Sequence, residues 1–152
     1  MQETVRRIKI FEGYSGKPYR CSAGKWTVGY GYNFEERSFS TDVLVQILNE
    51  GFTQELAEKL LILDVKEIIR TLYREFPFYK KLDEARRFVV TDMVYQLGLS
   101  GFGEFKKTLR ALESENFTLA SQEMKDSLWY RQSGRRSRIN KDQMLTGIWQ
   151  EI

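Results

Sequence analysis

Glu12 carries the first chemical promise in the chain. Val5, Ile8 and Glu12 stand at i, i+3 and i+7, so a helix over 3–12 would place the carboxylate on its apolar face. At a helix C-terminus, the negative end of the dipole and partial desolvation both disfavour the ionised form. A carboxyl kept protonated near neutral pH is what a general acid requires. The same spacing also fits a terminal glutamate fraying into water. Cys21, the single thiol, follows Arg20 and faces Lys25 across a short turn. Nearby cations favour thiolate, the reactive form, although a lone cysteine also serves as inert packing. With no histidine, imidazole chemistry is excluded: Ser-His-Asp, Cys-His and His-ligated zinc alike. One cysteine likewise excludes an internal disulfide or a Cys-rich metal site. Chemistry must rest on carboxylates, Lys, Tyr, Ser/Thr or the thiol, and no metal or organic cofactor is expected.

Three further groups could serve either function or structure. Gly98-Leu-Ser-Gly-Phe-Gly103 lacks the preceding strand and the Gly-Lys-Ser/Thr of a phosphate loop, and is expected to connect two helices. Arg131, Arg135, Arg136, Arg138 and Lys141 form a basic cluster that suits either solvent or an anionic polymer or carboxylate partner. Trp26, Tyr30, Tyr32, Trp129 and Tyr130 could stack on sugar rings or fill a core.

The elements that position these residues follow from pattern. The first helix should stop at Gly13. Two β-prone runs, Pro18 to Cys21 and Trp26 to Tyr32, flank a turn at Ser22-Ala23-Gly24 and predict a hairpin. From Thr41 the pattern is helical. Thr53 is a candidate N-cap with Glu55 in the first turn, and apolar residues from Leu56 to Leu72 recur at 3.6 spacing to just before Pro77. A helix from Glu84 to Leu97 is apolar nearly all round and should be the buried central one, closed by Gly98. Amphipathic pieces follow at Phe105–Leu112, Asn116–Met124 and Lys141–Trp149.

Composition bounds the whole. At 152 residues, 41% hydrophobic and 30% charged, the chain suits one globular domain able to bury a core. Lys+Arg 24 against Asp+Glu 21 leaves +3, too small a surplus to imply a nucleic-acid partner. No apolar run approaches a membrane helix and no signal-peptide h-region stands at the start.

Taken together, Ile10-Phe-Glu-Gly13, Lys17-Pro-Tyr-Arg-Cys21 and Gly24-Lys-Trp-Thr-Val-Gly-Tyr-Gly31 resemble the active-site signature of the phage-type lysozymes (endolysins; glycoside hydrolase family 24). In that family a Glu closes the first helix, eight residues precede an Asp or Cys, and five more precede a Thr; here these are Glu12, Cys21 and Thr27. The resemblance continues through Leu56-Ala-Glu-Lys-Leu to Asp64-Val, Ala85-Arg-Arg to Gln96-Leu-Gly98, Ser127-Leu-Trp-Tyr-Arg-Gln to Arg136, and Thr146-Gly-Ile-Trp149.

The resemblance implies a lysozyme-like, mainly helical α+β fold within a single domain, residues 1–152. A small N-terminal helix-plus-hairpin lobe (about 13–55) would be joined by a long helix to a larger helical lobe (about 75–152 with helix 3–12), with the cleft between them. It implies a muramidase acting on the β-1,4 bond between N-acetylmuramic acid and N-acetylglucosamine in peptidoglycan. Glu12 would be the acid, Cys21 the second catalytic group, and Thr27 would hold the attacking water or that group. Arg136 would pair with the catalytic Glu; Asn33, Tyr95, Gln96 and Thr108 would bind the glycan. A thiol with an ordinary pKa of about 8.5 is mostly neutral at pH 7. Arg20, Lys25 and the hairpin amides would therefore have to lower it, or activity would climb at alkaline pH. Tyr32 stands where many relatives carry histidine, which bears on local packing. The implied setting is a monomer held in a bacterial host's cytoplasm until a separate holin-like protein permeabilises the membrane, then acting on the wall, with no nucleic-acid partner. The rivals are a lytic transglycosylase on the same fold, a wall-binding module without turnover, and a nucleic-acid binder using the cluster from Arg131 to Lys141.

Overall fold

The computed structural model describes residues 1–152. Eight α-helices and one three-stranded antiparallel sheet make it the mainly helical α+β fold expected. The chain divides into two compact units, Met1–Val65 and Lys66–Ile152. Helix 2–12 falls in the first. No helix is long and apolar enough to cross a membrane.

In the first unit, α1 (Gln2–Glu12) ends at Gly13, whose φ of 67° no other residue adopts cheaply and whose N–H donates to Lys9 O at 3.0 Å. β1 (Ser15–Arg20) pairs with β2 (Trp26–Gly29), Tyr19 opposite Thr27 and Arg20 opposite Trp26, with an irregularity between Ser15 and Tyr19. The run Trp26 to Tyr32 is not one strand. Gly29 and Gly31 take φ of 68° and 83°, turning the chain so that β3 (Tyr32–Asn33) folds back on β2. α2 (Thr41–Glu50) is capped by Ser40 and closed by Gly51, and none of its residues is buried. Val28, Tyr32, Leu56 and Leu60 form a core against which Phe34, Phe39, Val43, Ile47 and Phe52 pack. Tyr32 fills its place in that core: its ring stacks on Phe39 at 4.9 Å and lies under the Arg37 guanidinium, itself paired with Asp64. The departure from histidine therefore leaves no packing defect.

α3 (Gln54–Glu75) runs across the boundary into the second unit, and Thr53 caps it as expected, accepting from the Leu56 N–H at 3.1 Å. A 3-10 turn at Pro77–Lys81 leads to α4 (Glu84–Gly103), capped by Asp83 and buried on all sides from Phe88 to Val94. Gly98 breaks α4 with φ 70°, yet the helix resumes to Gly103, so the expected connection is itself largely helical. α5 (Lys106–Glu113), α6 (Phe117–Lys125) and the single turn α7 (Leu128–Gln132) follow. The last helix, α8, spans Gly134–Thr146 rather than Lys141–Trp149. Gly147 ends it in a left-handed cap, leaving Trp149 outside. Its start lacked an apolar signal because the buried face is mostly polar: Ser137, Ile139, Asn140, Gln143 and Met144.

Candidate active site

The first unit holds Glu12 against Gly31 at one end of the hairpin and Thr27 beside Cys21 at the other strand pair. Glu12 is the last residue of α1, and its carboxylate lies against the Gly31 backbone: a Cβ at position 31 would sit 2.9 Å from Oε2. Glycine at 31 therefore answers two demands at once, a positive φ and the close approach of an acid.

Cys21 follows β1 at the mouth of the turn, where its N–H donates to Lys25 O at 3.0 Å and its carbonyl accepts from Gly24 at 2.8 Å. The thiol is partly exposed. Its pKa is lowered chiefly by the Lys25 backbone N–H, and then by the Ala23 and Cys21 N–H groups and the Thr27 hydroxyl, against a desolvation that raises it. The cations beside it act elsewhere. The Arg20 guanidinium donates to Gly24 O at 2.7 Å, stacks over Trp26 at 4.3 Å and reaches Glu35; Lys25 Nζ lies 3.4 Å from Glu36. Of the groups expected to favour thiolate, the hairpin amides lower the Cys21 pKa, while the Arg20 and Lys25 side chains are engaged with other partners.

Thr27, on β2, is 3% exposed, and its hydroxyl donates to Lys25 O at 3.0 Å while standing within reach of the Cys21 sulfur. Tyr19, opposite Thr27, was missed by sequence reasoning. Burial pushes its phenol up, and the charges of Glu12 and Cys21 push it further, so it stands within electrostatic reach of both. Its signal was present in the run Lys17-Pro-Tyr-Arg-Cys21: in a strand, Tyr19 and Cys21 point to one face.

Asn33 spends its side-chain oxygen on the chain itself, accepting from Glu35 N at 3.1 Å and Glu36 N at 3.2 Å. That turn carries Glu35 back to accept the Trp26 N–H at 2.9 Å. Of the aromatics weighed for stacking, Tyr30, Tyr32 and Trp129 are buried, while Trp26 stays 39% exposed.

In the second unit, Arg136 leaves the basic cluster and turns inward. Its Nη2 and Nε donate to Asp92 at 2.6 and 3.0 Å, a two-point fork on a carboxylate with no exposed surface. Asn140 Nδ2 and Gln96 Nε2 donate to the same carboxylate at 2.6 and 3.1 Å. Gln96 Oε1 in turn accepts from Trp129 Nε1 at 3.3 Å and Ser133 Oγ at 3.4 Å. Tyr95 is half-buried beside it, and Thr108 on α5 is buried. Arg135 and Arg138 stay exposed, Arg131 donates to Asp126 O, and Lys141 pairs with Asp142. Asp92 was not singled out from sequence, since one acidic residue inside an apolar helix carries no periodic signal.

Comparison with known proteins shows the family. The Phage lysozyme family model matches residues 9–142. Probable T4-type lysozyme 2 of Dictyostelium discoideum is 26% identical over 146 residues, 86% of each chain. The endolysin of Acyrthosiphon pisum secondary endosymbiont phage 1 is 30% identical over 97 residues, 62% of this chain and 57% of that protein. The pre-baseplate central spike protein of Enterobacteria phage T4 is 28% identical over a stretch covering 97% of this chain and 28% of the spike protein. With the family model running through both units, from within α1 into α8, the chain belongs to the phage lysozyme family of glycoside hydrolases.

Proposed function

We propose that this lysozyme is a muramidase that hydrolyses the β-1,4 bond between N-acetylmuramic acid and N-acetylglucosamine in peptidoglycan. Glu12 protonates the leaving glycosidic oxygen, and Cys21, as thiolate, is the second catalytic group. The observation that carries this reading is the hairpin, whose Gly31 backbone receives the Glu12 carboxylate and whose amides lower the Cys21 pKa. Backbone N–H groups and the Thr27 hydroxyl stabilise negative sulfur, so a thiol does there what an aspartate does in many relatives. Glycosidases ordinarily need an acid and an anionic partner flanking the bond. Thr27 holds the thiolate, or the water it activates. Arg136 is carried as the partner of the acid, with Asn33, Tyr95, Gln96 and Thr108 as glycan-binding residues. The Asn33 turn and the burial of Thr108 mean that the amide nitrogen of the first is the group left for substrate, and that the second acts by shape. The protein works as a monomer, reaching the wall from the host cytoplasm after a separate holin-like protein opens the membrane.

The test is a digest of purified peptidoglycan by wild type, Glu12→Gln, Cys21→Ser and Cys21→Asp, with the soluble products analysed by mass spectrometry. Wild type yields reducing-end muropeptides. Glu12→Gln loses roughly 10²–10⁴-fold in rate, the usual worth of a positioned acid. Cys21→Ser falls nearly as far because a serine hydroxyl does not ionise near neutral pH, whereas Cys21→Asp keeps activity and loses sensitivity to iodoacetamide. Anhydro ends would identify a lytic transglycosylase instead, and a folded wild type that binds wall without product would identify a binding module.

A further inference from the structure

We propose that Asp92 is a positioning residue of the hydrolase: its buried carboxylate dictates which way the Gln96 amide faces and where the Arg136 guanidinium lies. The catalytic consequence rests on the muramidase reading, through which Gln96 and Arg136 belong to the site.

Four N–H groups converge on Asp92, two from Arg136 and one each from Asn140 and Gln96. An ionised carboxylate only accepts, so it selects the nitrogen end of every amide that touches it. For Gln96 this choice propagates. With Nε2 held by Asp92, Oε1 must face Trp129 and Ser133, and the indole N–H, a donor only, finds its acceptor there. Asn140 shows how strong the selection is. Its Nδ2 lies 2.6 Å from Asp92 while its Oδ1 is buried with no hydrogen-bond partner, so the amide keeps the carboxylate at the expense of an orphaned oxygen. Gln96 and Arg136 sit on different helices, α4 and α8, and Asp92 is the group that both share.

Asp92→Asn keeps the shape and reverses this polarity at one oxygen. If the new amide nitrogen takes the Oδ2 place, it meets the donors of Arg136, Asn140 and Gln96. Asn140 can answer by turning its orphan oxygen inward. Gln96 cannot, because turning its amide would set a donor against the Trp129 N–H. If the nitrogen takes the Oδ1 place, it meets Arg136 Nη2. In either case the guanidinium loses Asp92 as a counter-charge. A second change, Gln96→Glu, reverses the pair: the amide at 92 then donates to a carboxylate at 96, which still accepts from Trp129 and Ser133.

The experiment measures kcat and KM on soluble peptidoglycan fragments, the ¹H–¹⁵N resonance of the Trp129 indole, and the melting temperature. Full-length wild type, Asp92→Asn and the double variant Asp92→Asn/Gln96→Glu are compared, with rates taken below each melting point. Asp92→Asn is expected to shift the indole resonance and lower kcat about tenfold to a hundredfold, the usual penalty for misoriented site groups. The double variant is expected to return the indole resonance toward wild type, whatever its kcat, because Gln96 is itself a glycan-binding residue. An unmoved resonance with wild-type kcat would overturn the proposal. So would a lower melting temperature alone, or an indole shift that the double variant leaves unrepaired, since either describes a merely structural carboxylate. If wild type itself releases no muropeptides, the muramidase reading fails and the catalytic consequence with it, while the resonance still decides whether Asp92 orients Gln96.

Discussion

The two units hold their polar chemistry in opposite ways. Around the hairpin of the first, main-chain groups do the organising: the Lys25 and Ala23 N–H groups lower the Cys21 pKa, and the bare backbone of Gly31 receives the Glu12 carboxylate. In the second, side chains organise one another around a carboxylate with no exposed surface, Asp92. A backbone-built site is tuned by the path of the chain and tolerates exposure, because its dipoles are fixed by strand and turn. A side-chain-built site depends on burial and on every member being present, since each lost partner strands the others in low dielectric.

Breaking the second arrangement should have the largest effect on stability. Asp92→Ala takes the forked carboxylate away from Arg136, a side chain only 12% exposed. Loss of one partner of a buried pair costs roughly 3–5 kcal/mol, which urea denaturation at pH 7 would report as a lower midpoint with an unchanged slope. A loss below about 1 kcal/mol, the range of exposed pairs, would place Asp92 with the surface charges and dissolve the contrast.

Gly31 and Gly24 sharpen the first arrangement. Both have positive φ, 83° and 75°, but a Cβ at Gly24 meets nothing within 4 Å while one at Gly31 meets Glu12. Gly31→Ala and Gly24→Ala should therefore cost comparable backbone strain, about 1–3 kcal/mol each. Activity separates them: Gly31→Ala displaces the acid and loses turnover, whereas Gly24→Ala does not disturb Glu12. Equal turnover in the two variants would mean that the Glu12 carboxylate has no fixed station.

The same contrast explains what was legible in the sequence. The end of α1 at Gly13, the Thr53 cap and the apolar period of α3 all reflect local rules of backbone conformation or helix periodicity, and these survive in a linear string, whereas the spacing of Glu12, Cys21 and Thr27 was read through the resemblance to the lysozyme signature. The turn at Gly29–Gly31 was hidden because its flanks are as β-prone as a continuous strand. The Asp92 cluster joins positions 44 and 48 residues apart, Arg136 and Asn140, through side chains that carry no periodic signature. For the same reason the start of α8 was misplaced: a helix that buries Ser137, Asn140 and Gln143 reads as a polar loop. Arg20 and Lys25 misled in the other direction, since closeness in sequence to Cys21 concealed their engagement with Glu35 and Glu36.

The thiol offers a gentler probe. Because the Lys25 N–H first, then the Ala23 N–H and the Thr27 hydroxyl, lower the Cys21 pKa, iodoacetamide alkylation of the native protein should reach its half-maximal rate at lower pH than that of an unfolded control. Thr27→Val removes one donor and should move that midpoint upward, while replacing Arg20 or Lys25 by Gln should move it less. A larger response to the cations than to Thr27 would overturn the account that hydrogen-bond donors of the hairpin lower the thiol.

The smallest expected effect belongs to the exposed counterpart of the Asp92 cluster. Glu3, in the first turn of α1, accepts from Arg6 at 2.7 and 2.8 Å and from Arg7 at 2.7 Å, and is held at a pKa of about 2 against an ordinary 4.5, chiefly by the Arg6 hydrogen bonds. A folded pKa below the unfolded one stabilises the native state above pH 4.5, and the benefit is lost as pH falls from there toward 2. With a side chain 39% exposed, solvent screening limits the gain to at most about 1 kcal/mol. Glu3→Gln should thus lower the melting temperature slightly at pH 7 and converge on wild type near pH 2, with added salt narrowing the gap at neutral pH. The Asp92 cluster, shielded from solvent, should resist the same salt. If both pairs weakened alike as ionic strength rose, burial would not be what distinguishes them.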